Sequence, residues 1–150
     1  MTDDVVPHTL TVRRVVAGTP ERLYAAWTEP DQMRRWYATV VDADVRVGGA
    51  YRIELHEDDG SVNGFTGEYL RLEPPALVEF TFRHHGLTPE DRISGETVTV
   101  EFRAAGAGRT EVVLTNRWTG PPCEPSDYTS LAQGWEQWFD MLEKSDVLAV

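Results

Sequence analysis

Two polar residues that could do chemistry lie in predicted β-strands, on faces that are otherwise apolar. His84 alternates with Phe80 and Phe82, and Asn116 shares a strand face with Trp118. A histidine can transfer protons near neutral pH, and a buried amide can orient a ligand. His84 is therefore the candidate catalytic residue if the protein is an enzyme. The alternative is that His84 is a partly hydrated residue at a strand end.

The chain also carries many aromatic residues at positions that are predicted to face inward. Such residues can line a cavity for an apolar ligand, or they can fill an ordinary core, and their spacing leaves both alternatives open. The hydroxyl of Tyr128 could face the same space. The predicted ligand-binding residues are Trp36, Tyr51, Tyr69, Phe80, Phe82, His84, Asn116, Trp118, Trp135 and Phe139.

The sequence predicts neither a metal site nor a cofactor. His84 and His85 are neighbours on a strand and point to opposite faces, and no Cys/His spacing resembles a zinc site. Cys123 is the only cysteine and lies close to Glu124 and Asp127, whose charges do not favour a reactive thiolate. No phosphate-binding or dinucleotide-binding motif is present.

Composition narrows the classes of partner. The 150 residues suit a single domain, expected to span residues 1–150, and carry a net charge of −11. This charge argues against binding to nucleic acid and to anionic membranes. No apolar run reaches the length of about 20 residues that spans a membrane, and the N-terminus lacks the features of a signal peptide. A cytoplasmic location is therefore expected.

The elements that must position these residues follow from periodicity. Apolar residues at helical spacing over 128–142 predict a long helix with one aromatic face. Two short helices are predicted near the start, one after Thr19 and one over 31–36. The predicted strands cover 9–16, 40–47, 50–56, 64–73, 77–84, 96–104 and 109–118. Strands with one apolar face form an antiparallel sheet, and the long helix must lie across it in an α+β fold.

Four motifs in this order resemble a known family. Residues 19–30 with 35–37 read TPERLYAAWTEP and RWY, residues 47–52 read VGGAYR, and residues 67–70 with 74–78 read GEYL and PPALV. Gly134 and Trp135 lie within the last predicted helix. Together they resemble the START-like superfamily, in the branch named after the activator of the heat-shock protein 90 (Hsp90) ATPase. The resemblance covers about residues 9–145.

The resemblance implies a helix-grip fold, in which a curved antiparallel sheet of six to seven strands wraps around the C-terminal helix. It implies an apolar cavity between them, and the leading prediction is binding of a hydrophobic small molecule such as a lipid or polyketide. One alternative is a cyclase or aromatase that uses the same cavity. Another is a co-chaperone that contacts an Hsp90-class ATPase. Strand edges would also allow a homodimer.

Overall fold

The computed structural model describes residues 5–85 and 94–148, within which eight strands form one antiparallel sheet. The strands are β1 (Val6–Ala17), β2 (Val40–Ala43), β3 (Ala50–His56), β4 (Val62–Glu73), β5 (Leu77–Thr81), β6 (Arg83–His85), β7 (Ser94–Ala104) and β8 (Arg109–Gly120). The helices are α1 (Pro20–Thr28), α2 (Pro30–Trp36) and α3 (Pro125–Lys144). The sheet order is β1-β8-β7-β5-β4-β3-β2, and β6 pairs with β4 beyond the end of β5. The predicted helix-grip fold is confirmed.

The predicted strand over 77–84 is wrong in one respect, because it is divided at Phe82. β5 pairs with both β4 and β7, whereas β6 pairs with β4. Between them, the Phe82 backbone N–H donates a hydrogen bond to the carbonyl oxygen of Glu96 at 2.9 Å. The pairing of β7 with β8 also shifts register between Ser94 and Thr97. Such irregularities bend strands, so the sheet departs from a regular ladder at this level.

The predicted strand over 40–47 is also too long, since β2 ends at Ala43. The chain then turns back through Gly48 and Gly49 to the edge of β4. The Gly48 N–H donates to the carbonyl oxygen of Tyr69 at 2.8 Å, and the Tyr69 N–H donates to the carbonyl oxygen of Gly49 at 2.9 Å. This turn extends the pairing beside β4 and helps to fix the position of Tyr69.

α1 and α2 cover one end of the sheet with two tryptophans. The Thr19 hydroxyl caps α1 by accepting a hydrogen bond from the Arg22 backbone N–H at 3.3 Å. Trp27 and Trp36 are both buried and meet edge to face, with ring centroids 5.1 Å apart. The Trp36 indole N–H donates to the carbonyl oxygen of Ala26 at 2.7 Å, which joins the two helices. This end of the molecule is therefore closed by packed side chains.

α3 crosses the sheet with Trp135, Phe139 and Leu142 buried on its inner side. Arg14 on β1 contacts the side of the helix that faces this strand, with its guanidinium 5.5 Å from the centroid of the Phe139 ring. The guanidinium forms ion pairs with the carboxylates of Glu136, Asp140 and Glu143. Among the helices of the described ranges, none is both long and apolar enough to cross a membrane.

Candidate functional site

A cavity of about 680 Å³ lies between α3 and the part of the sheet where β6, β7 and β8 face the helix. Its aromatic wall consists of Phe65, Phe82, Trp118, Trp135 and Trp138. The polar side chains that also line it are His84, Glu96, Asn116, Asp127, Ser130 and Gln137. On the helix side, no atom outside the helix backbone lies within 4 Å of the point where a Cβ of Gly134 would stand. The cavity therefore extends to the backbone of α3 at this residue.

Asn116 is the centre of a hydrogen-bond network at the base of the cavity. Its Nδ2 donates to the carbonyl oxygen of Thr97 at 3.2 Å and to Oε2 of Glu96 at 3.0 Å. Its Oδ1 accepts a hydrogen bond from the Trp135 indole N–H at 3.3 Å. An indole N–H can only donate and a backbone carbonyl can only accept, so the amide of Asn116 has one orientation. Oε2 of Glu96 is consequently an acceptor.

Glu96 brings a carboxyl group to this largely aromatic wall. Burial raises its pKa, and the hydrogen bond from Asn116 opposes this increase only in part. Its second oxygen, Oε1, forms no hydrogen bond with any residue of the described ranges. Glu96 was not among the predicted site residues, although it shares the alternating inward face of Val98 and Val100. An acidic residue in phase with buried valines was the signal that could have identified it.

His84 lines the cavity at its β6 side. Its imidazole stacks on the ring of Phe65, with centroids 4.6 Å apart and planes 17° apart. Its Nε2 lies 3.1 Å from the side-chain oxygen of Asn63, to which it can donate a hydrogen bond. The ring is thus held by stacking on one face and by a polar contact at its edge. An acid–base role for His84 stays a prediction.

His8 and Tyr128 form a second polar cluster behind Trp118. The buried imidazole of His8 stacks on Trp118 with centroids 5.1 Å apart. Its Nε2 donates to the carbonyl oxygen of Pro121 at 2.9 Å, and its Nδ1 is paired with the Tyr128 hydroxyl. The Tyr128 hydroxyl therefore contacts His8 rather than a ligand in the cavity. This cluster fixes the loop before α3, and its members come from opposite ends of the sequence.

Three of the predicted ligand-binding residues surround a much smaller space. Tyr51, Tyr69 and Phe80 line a void of about 20 Å³, which has room for about one water molecule. The Tyr51 hydroxyl donates to the carbonyl oxygen of Thr81 at 2.7 Å. Burial raises the pKa of Tyr69 to about 12, so its phenol is neutral at physiological pH. Phe82 contributes to the walls of both spaces.

Trp36 and Phe139 lie in the packed core rather than in the lining of either space. Trp36 packs against Trp27 and donates its indole N–H to Ala26. Phe139 is fully buried beneath Arg14. The alternating and helical patterns indicated correctly that both side chains face inward. They could not indicate whether the neighbouring space is filled.

Nothing in the described residues points to metal or thiol chemistry at the cavity. No group of three or more His, Cys, Asp or Glu side chains within the described ranges is placed to hold a metal ion. Cys123 lines the cavity, and its Sγ lies 4.0 Å from Nε2 of His8. Burial and the charge of Asp127 raise the pKa of the Cys123 thiol, which disfavours the nucleophilic thiolate.

The described fold and cavity agree with a match to a family model over residues 17–145, which is most of the chain. That model describes the proteins that resemble activator of Hsp90 ATPase homolog 1. The chain belongs to this family of activator-like proteins. No curated protein matches its sequence.

Solved structures of similar fold include activator-like proteins and others. An uncharacterised protein from Rhizobium leguminosarum is 26% identical, with a TM-score of 0.71 over 93% of this chain and 94% of that chain. The Aha1 dimer from Colwellia psychrerythraea is 21% identical, with a TM-score of 0.67 over 95% and 97%. DynU16, a protein in the dynemicin biosynthetic locus, is 20% identical, with a TM-score of 0.71 over 91% of this chain and 46% of that chain. The two likenesses below 25% identity show the fold.

Half of the predicted ligand-binding set shares one cavity in this member of the activator-like family. The predicted residues that line it together are Phe82, His84, Asn116, Trp118 and Trp135. Tyr51, Tyr69 and Phe80 lie around the small void instead. The sequence did not identify Glu96 on β7 as a site residue. It also did not indicate that Gly134 leaves open space beside the backbone of α3.

Proposed function

We propose that the protein binds a hydrophobic small molecule in the cavity between α3 and the sheet. The observation that carries the proposal is a space of about 680 Å³ with a largely apolar wall that includes five aromatic side chains. Ligand sites of proteins typically have volumes of about 300–1,000 Å³, apolar walls and a few oriented polar groups. The network of Glu96, Asn116 and Trp135 supplies such oriented groups.

Gly134 supports the same proposal independently. A glycine in the middle of a helix costs about 1 kcal/mol of stability relative to alanine. At this position an alanine would fit, because no neighbouring atom stands in its way. Packing inside the protein therefore does not require the glycine. Space for a ligand against the helix backbone is a reason to have it.

The first experiment is native mass spectrometry of the purified protein, followed by the same measurement after denaturation. We expect an additional mass that is lost on denaturation. Gly134→Leu should abolish this mass, because its side chain would project into the cavity. Gln133→Leu adds the same side chain at an exposed neighbouring position of α3 and should retain the mass.

If no molecule co-purifies, the same three proteins can be titrated with the neutral fluorescent probe pyrenemethanol. Binding by the wild type and by Gln133→Leu, with loss in Gly134→Leu, would support the proposal. Equal binding by all three proteins would place the probe elsewhere. No binding by the wild type would contradict the proposed function.

A second candidate is an enzyme of the cyclase or aromatase kind, which would use the same cavity. The carboxyl group of Glu96 favours it, because this group lines the cavity and burial raises its pKa above the ordinary value, as is common for catalytic acids and bases. The ligand recovered from the native complex can be returned to the protein and its mass followed over time. A changed mass that Glu96→Gln prevents, with binding retained, would indicate turnover. An unchanged mass would argue against turnover and leave ligand binding as the proposed function.

Two partners, an Hsp90-class ATPase and a second copy of this chain, are predicted from similarity to other proteins. The family description names an activator of the Hsp90 ATPase, and the Colwellia protein is described as a dimer. An interaction with an Hsp90-class ATPase and a homodimer therefore stay proposals for this chain. Light scattering coupled to size-exclusion chromatography, with and without purified Hsp90, would measure both associations. Elution of this protein as a monomer in both runs, separate from Hsp90 in the second, would contradict both.

A further inference from the structure

We infer that the ligand of the cavity carries a protonated amine on a hydrophobic body, and that Glu96 is the residue that binds this amine. The inference rests on the proposed function and adds the chemical class of the ligand. It depends on the hydrogen-bond geometry of Glu96, on the charges around the cavity and on its aromatic wall. Each of these is independent of the family to which the chain belongs.

The two oxygens of Glu96 have different surroundings. Oε2 accepts a hydrogen bond from Nδ2 of Asn116 at 3.0 Å, and the orientation of that amide is fixed by Trp135 and Thr97. Oε1 has no hydrogen-bond partner in the described ranges, and the side chain lines the cavity. A carboxylate in partly apolar surroundings is costly unless a donor satisfies it. An ammonium group on a ligand would be such a donor.

The charges around the cavity favour a cation over the other ligands that a carboxyl could bind. The described lining residues include the carboxylates of Glu96 and Asp127 but no lysine or arginine. The whole chain has a net charge of −11, which attracts cations to it. An anionic ligand would meet repulsion from both carboxylates. A neutral carbonyl ligand would require Glu96 to be protonated and would gain nothing from Asp127.

The aromatic wall is suited to the same kind of ligand. The indole rings of Trp118, Trp135 and Trp138 line the cavity in which Glu96 lies. Indole faces attract cations through the negative potential above the ring, and they also bury hydrophobic surface. An amine that is attached to an aromatic or aliphatic body can use both properties. A small hydrophilic cation would leave most of the wall hydrated.

Three probes of nearly the same shape test the inference by fluorescence titration: pyrenemethylamine, pyrenemethanol and pyrenecarboxylate. They present a cation, a neutral hydroxyl and an anion on one hydrophobic body. We expect the amine to bind about tenfold more tightly than the alcohol, because a hydrogen bond to a charged group contributes more than a neutral one. The carboxylate should bind most weakly.

Glu96→Gln is the decisive variant, because glutamine keeps an oxygen that can accept the hydrogen bond from Asn116. It should remove the preference for the amine, so that the amine and the alcohol bind with similar affinity. Glu68→Gln is the matched control, since it removes the same charge at an exposed position of β4 that does not line the cavity. It should leave both affinities unchanged. Thermal melts of both variants establish that they are folded.

Four outcomes would overturn the inference. The alcohol or the carboxylate could bind the wild type as tightly as the amine. Glu96→Gln could weaken all three probes alike, or leave a preference for the amine intact. Glu68→Gln could weaken the amine as much as Glu96→Gln does, which would indicate attraction by overall charge. If the alcohol still binds and Gly134→Leu blocks it, the proposed function survives; if no probe binds, both proposals fail.

Discussion

Glu96 and Asn116 form a hydrogen-bonded polar pair in the wall of the cavity, beside the indole ring of Trp135. Asn116 is only 2% exposed, and each of its amide groups has a partner. Because Trp135 can only donate and Thr97 can only accept, the network leaves one free acceptor position, which is Oε1 of Glu96. Within this network, Oε1 of Glu96 is therefore the atom that is left to bind a ligand.

The raised pKa of Glu96 predicts how the stability of the ligand-free protein depends on pH. A carboxyl whose pKa is higher in the folded state than its ordinary value of 4.5 stabilises the fold while it is protonated. That contribution is lost as pH rises through the raised pKa. We expect the melting temperature of the wild type to fall relative to that of Glu96→Gln as the pH rises from about 4.5 through the raised pKa of Glu96.

The pH series needs Glu68→Gln as a reference, because this exposed glutamate is on the outer surface. Its melting curve should follow that of the wild type across the series. A difference between the wild type and Glu96→Gln that does not change with pH would contradict the prediction.

Trp135 links the polar network to the core, and its loss should be costly. Trp135→Ala should lower the free energy of unfolding by about 3–5 kcal/mol, as other large-to-small core substitutions do. Trp135→Phe keeps much of the ring and loses the hydrogen bond to Asn116, so it should cost less. Urea denaturation measures both values. A neutral result for Trp135→Ala would mean that the indole contributes little to the packed core.

At the residue scale, the sequence predicts which side chains face inward but not what they meet there. Trp36 and Trp118 both follow an inward pattern, yet Trp36 is packed between two helices and Trp118 borders the cavity. The difference depends on the distance between elements that are far apart in the chain. Glu96 was missed for another reason, because an acidic residue at the start of a strand is seldom buried.

At the element scale, the side chain of Tyr51 on β3 lies so close to β4 that a glycine is required at position 67. The ring of Tyr51 on β3 lies across Gly67 on β4, and its hydroxyl reaches the carbonyl oxygen of Thr81. A Cβ on Gly67 would stand 2.0 Å from that carbonyl oxygen and 2.5 Å from the Tyr51 ring. This contact packs β3, β4 and the end of β5 closely together beside the small void.

Gly67→Ala should therefore destabilise the protein by about 1–3 kcal/mol or more, as overpacking does. Gly64→Ala on the same strand is the control, because the nearest atom to its Cβ would be 3.8 Å away. Thermal and urea denaturation of the two variants measure the difference. Equal effects of the two substitutions would contradict the close approach.

Element boundaries were predicted well where periodicity is uninterrupted. The alternation of β3 and the aromatic face of α3 are strong local signals, and both elements form where they were expected. The break at Phe82 has no such signal, because residues 77–84 alternate throughout. The break arises because β5 pairs with both β4 and β7, whereas β6 pairs with β4. This pairing depends on the whole sheet and leaves no mark in the local sequence.

At the scale of the whole molecule, Arg14 joins the first strand to the last helix. Its guanidinium lies over Phe139 and pairs with the carboxylates of Glu136, Asp140 and Glu143 on α3. Isolated surface ion pairs contribute little, but this group is partly buried and forms a network. It holds the helix against β1 at the edge of the sheet.

Arg14→Met should lower the free energy of unfolding by about 1–3 kcal/mol, because it leaves a cluster of carboxylates without their cation. Arg13→Met is the matched control, since Arg13 is an exposed neighbour on the opposite face of β1. It should have little effect. Urea denaturation at low and high salt would measure both free energies of unfolding. An equal decrease for the two variants would count against a stabilising role of the Arg14 ion pairs.

The architecture of the whole molecule was predicted correctly, because amphipathic strands and one aromatic helix permit few arrangements. The resemblance in four motifs then specified the helix-grip fold. The volume of the cavity was beyond prediction, since it depends on how far α3 stands from the sheet. That distance reflects the sum of packing along the helix from Trp135 to Leu142.

The pairing of β1 with β8 has a consequence for how the chain is made. Val6 lies opposite Gly120 and Ala17 opposite Arg109, so the first strand pairs almost wholly with a strand about a hundred residues later. During synthesis, β1 leaves the ribosome long before its partner exists, and it must remain unpaired until nearly the entire sheet has been translated. Contacts of such long range slow folding, because a large loop must close before they form. The fold is therefore completed late and all at once, and an emerging chain exposes the edge of β1 to chaperones throughout its synthesis.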